Sequence, residues 1–336
     1  MIAISLWRIR ESLSAGGRHI DWLGALFVTL GLGGLVNGLI ESVYRGWGNL
    51  LVVASLIVGC GCLVLFLFVE ARVTSPMLPL TLFETSSFSG ANLLTLLLYA
   101  AIGIFFFLFP LNLIQVQAYS ASAAGAAMLP LILLIFLLSR WSGGLVTRYG
   151  PRLPLIIGPL VVALGFVLFA LPSVGGSYWK TFFPAVLVLG LGMAVTVAPL
   201  TTVVMSSVSQ DRVGTASGIN NAVARVAGVL AIAVLGIVMV NAFGSRLNHK
   251  LGQLVLPPSV LESVQADEIK LAALPVPAGV SPATKAAIKE AIAEAFIFAF
   301  RVAMLLCAGL SVASSAVAWL MVPNGAPGPS ISRSGR

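Results

Sequence analysis

The chain has 336 residues, 59% hydrophobic and 9% charged, with mean hydropathy +1.05 and formal net charge +8. That balance excludes a soluble domain, whose exterior must be wetted. No basic stripe interleaved with aromatics appears, which excludes a nucleic-acid partner.

Residues 1–19 read as a stub on the cytoplasmic side: Met1 to Trp7 are apolar and stop at Arg8 and Arg10. Seven residues are too few to span a bilayer, and no small-residue cleavage site follows. The stub is expected to be the tail of a helix whose beginning is absent. Eight apolar runs follow, at about 20–40, 48–69, 89–113, 122–143, 154–172, 181–206, 214–241 and 295–322. Each approaches the roughly 20 residues that cross a hydrocarbon core, and none alternates as a barrel strand would. With no water in the hydrocarbon, backbone amides must be satisfied inside helices. The fold class is therefore all-α integral membrane, with the lipid bilayer as its partner. Trp22, Trp47, Tyr119, Tyr178 and Trp179 mark span ends, where amphipathic rings favour headgroups.

The loop cations set a direction. Residues 1–19, 70–88, 140–153, 207–213 and 323–336 carry ten arginines, against only Arg45 and Lys180 in the short loops opposite. By the positive-inside rule both termini face the cytoplasm of a cell (inner) membrane, and the net charge belongs to this bias. The loop 242–294 then lies outside, with Ser281 and Pro282 opening a helix into the last span. It reads as a solvated cap over the outer mouth, or a partner-docking site. Cys60, Cys62 and Cys307 fall in spans and read as packing residues; no metal site is expected.

Two constellations stand out. After the fourth span comes Gly143-Gly144-Leu145-Val146-Thr147-Arg148-Tyr149-Gly150-Pro151-Arg152. Gly150 permits a tight turn, and Arg148 and Arg152 are expected to anchor to anionic headgroups. At the start of the seventh span, Gly214, Gly218 and Ala222 share a face small enough for a neighbouring helix, beside a polar strip of Ser217, Asn221 and Arg225. A guanidinium so deep must face protein or a wet cavity.

The loop motif resembles Gly-x-Leu-x-Asp-Arg-x-Gly-Arg-Arg of the major facilitator superfamily, with Thr147 in place of the acid and Pro151 in place of a basic residue. With Asp21-Trp22-Leu23-Gly24-Ala25 and Pro76-Met77-Leu78-Pro79-Leu80, the chain resembles the fourteen-helix drug:proton antiporter branch. The resemblance implies two linker helices with their cytoplasmic loop (20–88), a six-helix C-terminal bundle (89–322) and a tail (323–336). It implies a missing or separate N-terminal six-helix half, a small-molecule substrate, and no cofactor beyond a proton gradient. In that superfamily the first and fourth helices of a half line the cavity. Here Asn92, Thr95, Tyr99 and Phe106 share a face of the first, and Met193, Thr196 and Pro199 lie on the fourth; helix–helix packing is the other reading of each.

The eleven acids all fall at span edges or in loops, and His19 and His249 in loops, so no intramembrane proton carrier is evident. Neither catalytic groupings nor a phosphate-cradling loop is present, which argues against an enzyme. The expected function is export of amphipathic, drug-like molecules by alternating access, this chain being the C-terminal part. The alternative is a truncated, non-transporting remnant or scaffold.

Overall fold

The computed structural model describes residues 21–73, 76–254, 256–276 and 280–324; the stub 1–19 and all but the first two residues of the tail lie outside the described residues. Among these, eight helices are long and apolar enough to cross a membrane. They are α1 (Trp22–Arg45), α2 (Leu50–Glu70), α3 (Ser86–Leu111), α4 (Leu129–Tyr149), α5 (Arg152–Phe169), α6 (Phe183–Ser206), α7 (Val213–Leu251) and α8 (Pro282–Met321).

Their ends follow local chemistry. Asp21 caps α1 by accepting from the Gly24 amide, Asn49 caps α2 through Leu51, and Ser281 caps α8 through Thr284. Pro110 removes one amide donor near the end of α3, and the helix then widens into a π turn at Asn112–Val116. The sequence expected a loop over 242–294 whose last part is a helix opening at Ser281 and Pro282, and α8 does start at Pro282. The first part of that loop differs: α7 runs 39 residues to Leu251, and with 40 residues in α8 each is about 58–60 Å at 1.5 Å per residue, twice the hydrocarbon thickness. His249 accordingly lies on α7. The expected solvated cap is a packed stalk, with Phe243, Leu247 and Leu251 of α7, Val264 of the short helix Pro258–Ala266, and Ile288, Ile292 and Phe296 of α8 all buried. Lys250 pairs with Glu294 at 2.5 Å, and Asn248 joins Glu268 and Gln265 at 2.7 Å each.

α1 and α2 pack on each other and meet the rest through α1 against α7. In the other six, α3 packs against α7 and α8, α5 against α6 and α8, and α4 against α6. Lipid supplies no hydrophobic drive between spans, so close approach and polar side chains hold them. A Cβ built on Gly103 would lie 2.6 Å from Gly228 Cα, which brings the α3 and α7 backbones nearly together. Ser314 and Ser315 of α8 donate to the carbonyls of Leu94 on α3 and Ile156 on α5. Phe105, Phe109, Phe166, Phe169 and Phe182, all buried, gather the stalk-side ends of α3 and α5 and the start of α6, with centroids 4.8–6.5 Å apart. Beside them the Tyr178 hydroxyl donates to Ala127 O at 2.7 Å, and burial pushes it above the ordinary phenol range.

The antiparallel pair α5–α8 is closed by an arginine at each end. Arg152, at the start of α5, donates to Trp319 O and to Asn324 Oδ1 (2.7 Å) at the end of α8. Arg301 of α8 donates to Leu171 O (3.3 Å) and Pro172 O (3.2 Å), just past the end of α5. Each cation meets carbonyls where a helix dipole is negative. Arg152 is thus turned into the protein and away from the headgroups expected to hold it.

Candidate functional site

Exposure is uneven around the six helices. In their most apolar windows α3, α5, α6 and α8 are 50–56% buried, whereas α4 and α7 are 17% and 22% buried. The two lightly packed helices carry the polar strip Ser217, Asn221 and Arg225 and the loop-motif Arg148.

On α7 the sequence predicted a small-residue contact face beside a polar strip. Among the described residues no heavy atom lies within 4 Å of a Cβ built on Gly214 or Gly218, so none of the described helices packs there. Asn221 and Arg225 are exposed, and Asn221 Nδ2 donates back to Ser217 O at 2.9 Å. The inward amide is the neighbour, Asn220, which sequence reasoning missed. Its Nδ2 donates to Thr95 Oγ1 at 2.7 Å and lies 3.3 Å from Asn92 Oδ1. Asn92 and Thr95 are buried and also donate to the α3 backbone, at Phe88 O and Ala91 O. The signal for Asn220 was available: it is one of two adjacent amides, and the α3 pair Asn92 and Thr95 needs a donor from another helix.

The remaining α3 candidates run outward from this cluster. Tyr99 is half-buried and Phe106 is 43% exposed. The α6 candidates behave differently. Met193, Thr196 and Pro199 are all buried, and Thr196 Oγ1 donates to Gly192 O at 2.7 Å, directly over Gly158 of α5. At Thr196 the expected cavity face of α6 is packed into the α5–α6 seam; α6 carries hydroxyls on its buried side (Thr196) and on its exposed side (Thr201, Thr202), so polarity does not tell the two apart.

The loop motif lies at the end of α4. Gly150 has φ +75°, and its amide closes the helix on Val146 O at 3.0 Å, as a tight turn requires. Gly143 is half-buried with open space beside it. Thr147 turns its hydroxyl onto Gly144 O, and Arg148 sits over the Tyr149 ring at 5.2 Å. Arg140, read from sequence as a loop residue, lies inside α4 on the same side as Arg148. Together with Leu137, Trp141, Gly144, Leu145 and Tyr149 they line an open groove of about 640 Å³. Among the described residues no cluster of three His, Cys, Asp or Glu side chains is placed to hold a metal.

Two guanidinium faces, on α4 and α7, therefore project from apolar helices with no carboxylate paired to them among the described residues. Neither supplies a nucleophile or an acid–base pair; each can bind anionic or π-rich groups, or dock a second protein surface.

A model of the Major Facilitator Superfamily matches residues 16–232. The chain is 29% identical to the multidrug resistance protein Stp of Mycobacterium tuberculosis, over 96% of this chain and 60% of that protein. It is 28% identical to the tetracenomycin C resistance and export protein of Streptomyces glaucescens, over 90% of this chain and 56% of that one. It is 32% identical to a lincomycin resistance protein of Streptomyces lincolnensis, over 67% and 47%. The chain thus spans about 60% or less of the length of these curated relatives. Among solved structures it resembles a bacterial homolog of the human lysosomal transporter Spinster, in an inward-facing, occupied state. The TM-score is 0.54 and the identity 18%, with 90% of this chain and 66% of that one covered, a likeness of fold. With the match covering well over half of a helical membrane protein, the chain belongs to the Major Facilitator Superfamily.

Proposed function

We propose that this chain supplies the linker pair α1–α2 and the C-terminal six-helix bundle of an exporter of amphipathic, drug-like molecules. The observation that carries the reading is the pair of exposed cationic faces, Asn221–Arg225 on α7 and Arg140–Arg148 on α4. A cation at the centre of a lipid-facing helix costs about 2.5–3.5 kcal/mol even on the lenient insertion scale. Arg225 well inside α7 and Arg140 well inside α4, both on otherwise apolar helices, call for a second protein surface and a wet cleft. A further six-helix half would provide both, and the two halves would rock about a midplane site. Relatives named for drug resistance and export support the substrate class.

In this reading Tyr99 and Phe106 face the substrate, because they are the α3 candidates not sealed by packing. Asn92, Thr95, Met193, Thr196 and Pro199 back that wall. Gly143, Arg148 and Gly150 form the gating turn, and Arg152 ties it to α8. The protein sits in the inner membrane with both termini cytoplasmic, and a proton gradient drives it with the coupling acid on the other half.

The test is dye accumulation in cells expressing this chain alone, or fused behind the N-terminal half of a full-length relative. Efflux is expected only from the fusion, and should vanish when the proton gradient is collapsed. Gradient-dependent efflux by the unfused chain would overturn the half-transporter reading. A cysteine replacing Ser263 on the stalk should label from outside; labelling only from the cytoplasm would reverse the orientation.

A further inference from the structure

Asp21 and Glu70 stand at one end of the α1–α2 hairpin, where the sequence offered only span-edge acids. Each is almost wholly buried, at 8% and 3% exposure. Asp21 Oδ1 accepts from the Gly24 amide at 2.8 Å, and Glu70 Oε2 accepts from the Leu78 amide at 3.0 Å. One oxygen of each carboxyl, Asp21 Oδ2 and Glu70 Oε1, is left buried and without a hydrogen-bond partner. These two oxygens flank the same point. A Cβ built on Gly24 would lie 2.5 Å from Asp21 Oδ2 and 3.0 Å from Glu70 Oε1. They are thus within about 5.5 Å of each other, both beside Gly24.

Two buried carboxylates this close cannot both stay ionised unless a cation joins them; a pair of this kind takes up its protons as a unit. Among the described residues no cation reaches either group. Arg72 lies over the Phe68 ring at 3.9 Å. The connector Pro76–Pro79 carries no charge, and Glu84 beyond it is exposed. Just before α7, the helix that packs against α1, Arg212 pairs with Asp211, and on it Arg225 is exposed. Arg246, His249 and Lys250 lie in the stalk at the opposite end of that helix. Glu41 and Arg45 of the hairpin pair with each other at its far end.

We propose that Asp21 and Glu70 bind one proton between them, as an acid–carboxylate pair joining Oδ2 to Oε1, and that this proton clamps the hairpin to the connector leading into α3. The proton comes from water at that membrane face, and its arrival takes the pair from two negative charges to one. No other bond forms or breaks. Through the Glu70–Leu78 bond the pair unites two separate sequence motifs, Asp21–Ala25 and Pro76–Leu80. When the proton leaves, repulsion drives the carboxylates apart and draws Glu70 Oε2 off the Leu78 amide, a displacement that outweighs the better acceptor an ionised oxygen makes. The clamp is therefore complete at low pH and is lost as pH rises through deprotonation of the pair. The proposal stands apart from the export reading, because it needs neither a substrate nor a second half.

The experiment uses the chain in lipid nanodiscs, titrated upward from about pH 6, where exposed carboxylates are already ionised. Infrared difference spectra should show one protonated-carboxyl C=O band disappearing. Protection of the Leu78 amide against hydrogen exchange, corrected for intrinsic rate, should fall at least tenfold over the same range. Asp21→Asn and Glu70→Gln each keep the capping oxygen and place an amide N–H where the proton would sit. Both should lose the titrating band and hold Leu78 protection constant across pH, while His19→Gln should titrate like the native chain. A native chain with no titrating band, or with pH-independent Leu78 protection, overturns the proposal. So does a band that persists in both amide variants, or one that vanishes in His19→Gln.

Discussion

Adding a methyl group at Gly158 tests whether Thr196 serves packing or a cavity. A Cβ there would be driven into Thr196 Oγ1 and would lie 3.1 Å from Gly192 O and 3.2 Å from Thr196 Cβ. Thr196 is fully buried and its hydroxyl is tied to Gly192 O, so it cannot swing aside without breaking that bond. Overpacking of this kind costs about 1–3 kcal/mol, so Gly158→Ala is expected to destabilise by about 2 kcal/mol. Thr196→Ala alone loses a methyl group and a hydroxyl bond, about 1–2 kcal/mol together. In the double variant the added methyl enters the space vacated by the Thr196 side chain. Its cost should then fall below the sum of the singles by about 1 kcal/mol or more, a coupling that only direct contact gives. The measurement is equilibrium unfolding in mixed micelles followed by circular dichroism, with substrate efflux by the fused transporter measured alongside. Additive costs would refute the packing argument. So would a Thr196→Ala variant that folds normally yet loses efflux, because that places the hydroxyl in the substrate path.

Three further outcomes follow from the same geometry. Asn220→Leu removes the donor that serves Asn92 and Thr95 and should cost about 0.6–1.7 kcal/mol in that unfolding assay, whereas Asn221→Leu, on the exposed side, should cost nothing measurable. Arg301→Met strips two carbonyl contacts beyond the end of α5 and should cost about 1.5–3 kcal/mol, with Arg301→Lys recovering only part. Gly150→Ala meets both a φ of +75° and Asn324 O at 2.7 Å from the new Cβ; it should destabilise by more than left-handed strain alone, about 1–2 kcal/mol, read as a lowered thermal midpoint, while Gly143→Ala, beside open space, should not.

The eight spans were legible because hydropathy reports directly on lipid residence. The end of α7 was not, because the apolar signal stops near Ala242 while the helix continues to Leu251 as a stalk; the start of α8 was, because Ser281 and Pro282 carry a capping signal that needs no hydropathy. Which way each helix faces was the harder question. In water the buried side of a helix is its apolar side; in a bilayer lipid and protein are equally apolar, so the usual contrast disappears. Asn221 looked inward because it aligned with Ser217 and Arg225, yet Asn220 takes that place. Met193, Thr196 and Pro199 looked like a cavity wall and are buried, Thr196 in the seam against α5. Arg152 was assigned to headgroups because sequence shows a basic loop but not the α8 carbonyls waiting beside it. Gly150 was readable throughout, since a glycine closing an apolar run before proline has one common geometry.

The stalk also constrains how the bundle can move. α7 and α8 share one small core beyond the membrane and are stapled there by Lys250 and Glu294, so neither can slide along the other without dismantling it. They form a two-legged lever: a tilt of about ten degrees carries a point 30 Å along it through about 5 Å. Displacement between conformational states should therefore be largest at the tip of this lever, far from the helices that carry the candidate substrate-facing residues. A rigid ligand that grips the short helix Pro258–Ala266 would brake the whole bundle while leaving those residues untouched.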